Sequence, residues 1–286
     1  MRCGATVRTA AWRIPIRWIA GPRIEALPEV IRRTVVWVGV TMAGVVGPAA
    51  AGGAQAAGGL AVPMSLESPV THVQLLELYT SQGCSSCPPA ESWISRWQED
   101  DRLWGAVVPV AFHVDYWNRI GWVDPFSDHS HTRRQRRYAS VWGRPDLYTP
   151  EFVVDGQEWR GWFEQSPLPA AEDSSGVLRL SWDGRQADLV YRPVPATRRA
   201  TTATVALLQM GQATNVTSGE NAGRMMVGDF VVVGWQETGL HKEGDAWHAS
   251  MQIDTDKQIS AIAAWVTARP QGVVLQATGG WLRDAP

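Results

Sequence analysis

The chain has 286 residues, 45% of them hydrophobic and 19% charged, with 16 tryptophans and a formal net charge of −2. That is enough apolar material for one large domain or two ordinary ones, and it excludes a chain that is disordered throughout.

Residues 1–56 read as a leader. Seven arginines and two glutamates precede an apolar run from Thr34 to Val46, and a small-residue stretch follows in which Ala54-Gln55-Ala56 fits an A-x-A cleavage site. This is the order of a secretory signal. The alternative is an uncleaved anchor, but the apolar run falls short of the roughly 20 residues a membrane span needs. Removing the leader takes the net charge from −2 to −7. An acidic exported chain, periplasmic or secreted, is a poor partner for nucleic acid and is expected to have no stable membrane insertion.

Residues 57–69 read as a flexible linker. "HVQLLELYT" (His72 to Thr80) is an apolar strand, and "AESWISRWQED" is helical, with Ile94 and Trp97 at i, i+3 spacing. "GAVVPVAFHVDY" (Gly105 to Tyr116) is a second buried strand, and "DHSHTRRQRRYASVWG" (Asp128 to Gly143) is a helix closed by glycine. "PEFVVDG" turns at Asp155-Gly156 into "QEWRGWF", a hairpin. The order β-α-β-α-β-β over 70–165 predicts an α/β domain with a parallel first pair and an antiparallel final hairpin. A Pro- and Ser-rich linker follows over 166–173, where Ser166 could cap a brief helix with Pro167 at its first position. From 174 to 286 about seven short apolar runs separated by turn residues, with no helix, predict an antiparallel sandwich.

The cysteines bear the chemistry. Cys3 leaves with the leader, so the mature chain holds only Cys84 and Cys87, within "TSQGCSSCPPA". Alone, a C-x-x-C pair permits a redox centre, half of a metal site or a structural disulfide. So short a loop gives little stabilisation on cross-linking, which weighs against the last. The first strand ends just before Gly83-Cys84, and a helix starting just after Cys84 would set its sulfur at an N-terminus that favours thiolate. Cys87, one turn on, could then resolve a mixed disulfide formed at Cys84.

Glu77, between Leu76 and Leu78, is either a buried carboxyl of raised pKa that takes the proton of Cys87, or a strand carboxylate facing water or an arginine. His113 either joins Cys84 and Cys87 in a soft site for copper(I) or zinc, or hydrogen-bonds Asp115. His129, His131 and the "RRQRR" run from Arg133 to Arg137 read as solvated. The loop from Trp117 to Phe126 walls a substrate groove or caps the core.

"LELYTSQGCSSCPPAE", "AFHVDYWNRIGWVDPF", "YTPEFVVDG" and "SGENAGR" are similar to segments of an exported bacterial family catalogued as domain of unknown function 1223, whose N-terminal part is thioredoxin-like. The resemblance implies a thioredoxin-like fold for the first region and a thiol redox role; with the strand pattern of the second region, the expected fold class is an α/β thioredoxin-like domain followed by an all-β antiparallel sandwich-like domain. The resemblance also gives Pro150 the part of a cis-proline beside the C-x-x-C, with the Thr149 backbone open to an extended substrate segment. Pro167 and Pro169 depart from it by shortening the helix expected to finish the first domain. The expected activity is exported thiol–disulfide exchange on a protein or small thiol/disulfide substrate, without a cofactor. The rivals are a copper(I)-handling protein and a binding module with idle cysteines.

Overall fold

The structure, a computed structural model, describes residues 64–171, 174–195, 200–268 and 272–282; the leader read from residues 1–56 lies outside them. Among the described residues there are fifteen β-strands and two α-helices.

Strands β2 (Gln74–Thr80) and β3 (Val107–His113) are buried along their whole length, as near-continuous apolar runs are when both sheet faces are covered. They pair in parallel, with Thr80 opposite His113, and helix α1 (Pro88–Ser95) lies in the crossover between them. Helix α2 (His129–Val141) starts after Asp128, whose carboxylate accepts from the Ser130 amide at 2.7 Å. Strand β4 (Glu151–Val154) returns antiparallel to β2 and turns at Asp155-Gly156 into β5 (Gln157–Glu158). Asp155 and Gly156 have φ of 49° and 84°, as a primed hairpin turn requires. A Cβ on Gly156 would also lie 1.6 Å from the Gly272 carbonyl oxygen, so only glycine fits. A short 3-10 turn at Gly161–Glu164 follows, and Ser166 starts no helix.

The rest of the described chain is strand: β6 (Gly176–Trp182), β7 (Gln186–Pro193), β8 (Thr202–Gln209), β9 (Gln212–Asn215), β10 (Met225–Gly228), β11 (Val231–Gly239), β12 (His241–Glu243), β13 (Ala246–Gln252), β14 (Ala261–Ala268) and β15 (Val273–Trp281). Strand β1 (Met64–Glu67), in the stretch read as linker, pairs with β6. One sheet runs β1-β6-β7-β13-β12. A second, of eight strands, runs β15-β14-β8-β11-β3-β2-β4-β5, and β9 and β10 form a separate hairpin.

This overturns the predicted fold class of an α/β thioredoxin-like domain followed by an all-β sandwich-like domain. The molecule is mostly β-sheet, and its largest sheet draws strands from both halves of the chain. The joint is the edge of β3, where Val231 of β11 pairs in parallel with Ala111 and the Ala111 amide donates to the Phe230 carbonyl at 2.8 Å. The physical reason lies in β8 and β14. Their apolar runs suit sandwich strands, but they are buried on both faces and extend the central sheet. Alternate residues serve two cores. Trp265 shares one with Phe112 of β3, while Ile262 and Val266 share the other with Leu180 and Leu189 of the five-stranded sheet. Each such large side chain contributes about 1.5–3 kcal/mol on burial. The β-α-β-α-β-β order of the first half survives as one end of this sheet.

Candidate redox site

The C-x-x-C lies in consecutive turns between β2 and α1. The Cys84 amide donates to the Ser81 carbonyl at 3.1 Å and the Cys87 amide to the Cys84 carbonyl at 3.2 Å. The two cysteines are joined by a disulfide, with Cα atoms 5.4 Å apart, and both are fully buried. Helix α1 begins at Pro88 with Cys87 as its N-cap, so Cys84 sits a turn upstream of the helix rather than at its N-terminus. Pro88 and Pro89 remove the first two helical amides. The next two, of Ala90 and Glu91, donate to the Cys87 carbonyl at 2.9 and 3.1 Å. The Ser86 hydroxyl, 3.2 Å from Cys84 Sγ, is the polar group beside that sulfur, with the Thr149 carbonyl oxygen at 3.8 Å.

Behind the turn is a buried polar cluster. Glu91 stands one helical turn after Cys87, and helical side chains lean toward the N-terminus, over the preceding turn. Its carboxyl accepts from the Thr80 hydroxyl at 2.7 Å. His113 Nδ1 meets Asp124 Oδ2 at 2.7 Å, and the same oxygen accepts from the Gln82 amide at 2.8 Å. Burial raises the Glu91 pKa, against a smaller lowering by the His113 charge. Burial opposes the charge on His113, yet the Asp124 carboxylate outweighs it and raises the pKa. Asp124 is correspondingly lowered: burial works against its charge, and His113 with two backbone amides prevails.

Glu77 belongs elsewhere. Strand residues alternate faces, so Glu77 and Tyr79 share one side of β2 and Thr80 the other. The Glu77 carboxylate is gripped by Arg134 of α2, at 2.7 and 3.0 Å, and by the hydroxyls of Tyr79 at 2.9 Å and Tyr138 at 2.5 Å. Of its two sequence readings, this is the arginine-paired strand carboxylate. Arg134 is accordingly buried rather than solvated, whereas Arg133, Arg136 and Arg137 are exposed.

His113 is paired with Asp124, not with Asp115, which binds His129 at 2.9 Å and the Thr132 hydroxyl at 2.5 Å. His131, expected in solvent, is buried on the His113 carbonyl at 2.9 Å, and burial lowers its pKa to about 4. Among the described residues no three His, Cys, Asp or Glu side chains gather as a metal site would require.

Three segments close over the cysteines. The Thr149–Pro150 bond is cis, and Thr149 is buried with its carbonyl toward Cys84 and its hydroxyl accepting from Trp117 Nε1 at 2.8 Å. Trp122 Nε1 donates to Gln82 Oε1 at 3.2 Å, so the tryptophan loop walls the site. The third is the tip of the β9–β10 hairpin. There Asn221 Nδ2 donates to the Gln82 and Cys84 carbonyls, each at 2.9 Å, and the Glu220 carboxylate accepts from the Ser85 amide at 3.0 Å. Ser86, Glu91, Asp124, Glu220 and Asn221 were not singled out from sequence. Glu91 was legible as Cys87 plus four, and "SGENAGR" was noticed without a role.

The fold is similar to two solved structures. Protein AGR_C_4864 from Agrobacterium tumefaciens is 22% identical, with a TM-score of 0.50 over 74% of this chain and 94% of that one. HBP35 of Porphyromonas gingivalis is 13% identical, with a TM-score of 0.52 over 76% of this chain and 77% of that one. No curated protein matches the chain. Residues 75–267, which include the C-x-x-C, the tryptophan loop, Thr149-Pro150 and the hairpin tip, match a family described as "Protein of unknown function (DUF1223)", and the chain belongs to that family.

Proposed function

We propose that this chain is an exported thiol–disulfide oxidoreductase, in the periplasm or secreted, with Cys84 as nucleophile and Cys87 as resolving thiol. The observation that carries this reading is a disulfide between residues three apart, backed by a buried carboxyl one turn along from Cys87. Export is supported by the signal-like leader, and an exported compartment permits disulfide chemistry.

In the reaction the Cys84 thiolate attacks a substrate disulfide. A Cys84–substrate S–S bond forms, and the substrate's own S–S bond breaks as its second sulfur leaves and takes up a proton. Cys87 then loses its proton and attacks Cys84, re-forming the Cys84–Cys87 bond and releasing the first substrate sulfur as a thiol. Two electrons pass from the protein to the substrate, and the reverse sequence oxidises a substrate dithiol. The Ser86 hydroxyl stabilises the Cys84 thiolate. Glu91, whose pKa burial raises, exchanges the proton of Cys87. An open groove that begins at Pro89, two residues after Cys87, with an aromatic side of Trp93, Trp162 and Phe163 and a polar side of Arg96, Gln165 and Ser166, suits an extended peptide.

The test is a trap. Cys87→Ser, expressed with its leader in a bacterial host, retains mixed disulfides at Cys84 that are resolved by mass spectrometry after non-reducing separation. A defined set of Cys84-linked proteins or small thiols is the expected result. An empty trap, together with no exchange between the native pair and a model disulfide, overturns the reading.

A further inference from the structure

The hairpin tip has the geometry of a latch. Among the described residues β9 and β10 pair only with each other, apart from both large sheets. Their connection reaches across more than 130 residues of sequence to the C-x-x-C turn and bonds it on both sides of Cys84. Asn221 is fully buried. Its amide nitrogen holds the carbonyls of Gln82 and Cys84, while its own Oδ1 is buried without a hydrogen-bond partner. Gly219, at φ +75°, lets the loop pass against the tryptophan loop, where a Cβ would lie 3.1 Å from Trp122 Cβ. The Ser218 hydroxyl ties the loop to the Gly121 carbonyl at 2.5 Å. The turn that this loop bonds holds both cysteines fully buried.

Glu220 adds a chemical link. Its carboxylate occupies the Ser85 amide, the backbone donor immediately after Cys84. The prolines at the start of α1 supply no donor in compensation. A disulfide is neutral and tolerates the carboxylate. A Cys84 thiolate is an anion next to that amide: it repels Glu220 and competes for the same N–H.

We propose that the loop bearing Glu220 and Asn221 is a redox-linked latch, closed over the oxidised Cys84–Cys87 pair and released when the pair is reduced. It regulates the site on which the exchange reading rests. Reduction by a dithiol proceeds by attack of one of its thiolates on a sulfur of the pair. The Cys84–Cys87 bond breaks and the departing cysteine takes a proton. The dithiol's second sulfur then displaces the other cysteine, so the reductant leaves as a disulfide and the protein gains two electrons and two protons. The first attack on a fully buried disulfide needs the latch open. The latch therefore sets the rate at which the oxidised form is reduced, and the reduced form stays open for its partner.

Two measurements test this with dithiothreitol as the sole reductant, so neither needs a physiological substrate. Glu220→Ala, a surface change, and Asn221→Ala are each expected to speed reduction of the pair about three- to tenfold, the effect of removing a hydrogen bond of ordinary strength. Hydrogen exchange of the amides of residues 216–224 is expected to be faster in reduced than in oxidised protein. Glu220→Gln keeps the acceptor without the charge. It is expected to retain slow reduction while abolishing that redox difference. Unchanged reduction rates, or equal protection in both redox states of the native protein, overturn the latch. Should Asn221→Ala not fold, Glu220→Ala and native hydrogen exchange still decide. An empty Cys87→Ser trap and no exchange of the native pair with a model disulfide, alongside accelerated Glu220→Ala reduction by dithiothreitol, leaves the latch standing and removes the exchange reading; a filled trap with unchanged rates does the reverse.

Discussion

The two faces of β2 each bury a cluster of ionisable groups, and the difference between them lies in their charge balance. On the α2 face the Glu77 carboxylate meets the Arg134 guanidinium and two tyrosine hydroxyls, and Glu237, 3.8 Å from Arg134, is paired in turn by Arg137. Burial raises the pKa of Tyr79 and Tyr138, so the phenols stay neutral donors. Every charge there is matched, and the cluster binds α2 to the sheet. On the α1 face two carboxyls, Glu91 and Asp124, face a single imidazole, His113. Asp124 takes the imidazole, and Glu91 is left with a threonine hydroxyl and a raised pKa. The surplus carboxyl, its pKa raised by burial, is the group on this face suited to exchange a proton, and it stands one turn from Cys87. Burial alone does not distinguish the two faces; the count of opposite charges does.

The largest expected effect comes from breaking the balanced face. Arg134→Met leaves Glu77 buried and uncompensated, at a cost of about 3–5 kcal/mol. Urea unfolding should show it, while Glu77→Leu combined with Arg134→Met should recover most of the loss. If the two faces divide as described, Glu77→Gln destabilises the protein but leaves the exchange rate of the folded fraction unchanged. Loss of exchange with stability intact would reverse the assignment.

Next in size is His131, which stands on α2 but bonds the His113 carbonyl behind the redox face. Burial holds its pKa at about 4 in the folded protein, against about 6.5 when unfolded. The unfolded chain therefore binds the proton first as pH falls. Stability from neutral His131 is full above pH about 6.5 and is lost between there and pH about 4, in all by roughly 3 kcal/mol. His131→Gln should flatten that part of the profile. Urea midpoints at pH 7.5 and pH 4.5 for the two proteins measure it, and parallel profiles would place the buried proton elsewhere.

The same division shows where local pattern suffices and where it does not. Gln74–Thr80, Val107–His113 and His129–Val141 were legible because apolar runs, an aspartate cap and a terminal glycine are local signals. The hairpin at Asp155-Gly156 was legible for the same reason. That β3 is joined by β11, and β11 by β8, was not, because an apolar run such as "TATVALLQ" states that it is buried and not against which edge. Strand parity decides between the two readings of Glu77: from Thr80 at the strand end, counting by twos excludes it from the α1 face and leaves it to Arg134. Asp124 displaced Asp115 as the partner of His113 because the tryptophan loop folds back, a long-range event with no periodic signal. Glu220 and Asn221 were hidden by distance along the chain.

The smallest change in stability is expected at Glu91. A carboxyl whose pKa is raised by folding weakens the fold above its unfolded pKa of about 4.5 and ceases to do so as pH falls below that value. Glu91→Gln keeps an acceptor for Thr80 and removes the charge. It should therefore leave stability at pH 7 unchanged or raise it by about 1 kcal/mol, the reverse of Arg134→Met. Its effect on exchange should be large: resolution of a preformed Cys84 mixed disulfide slows about 100-fold, the lower end of what general acid–base catalysis contributes. The pH dependence should also shift, from one that includes a carboxyl of raised pKa to one governed by the thiol of Cys87 alone. Stopped-flow release of a chromophoric thiol from Cys84 between pH 5 and pH 9 reads both. An unchanged profile in Glu91→Gln would mean that the surplus carboxyl, like Glu77 on the opposite face, only holds the fold.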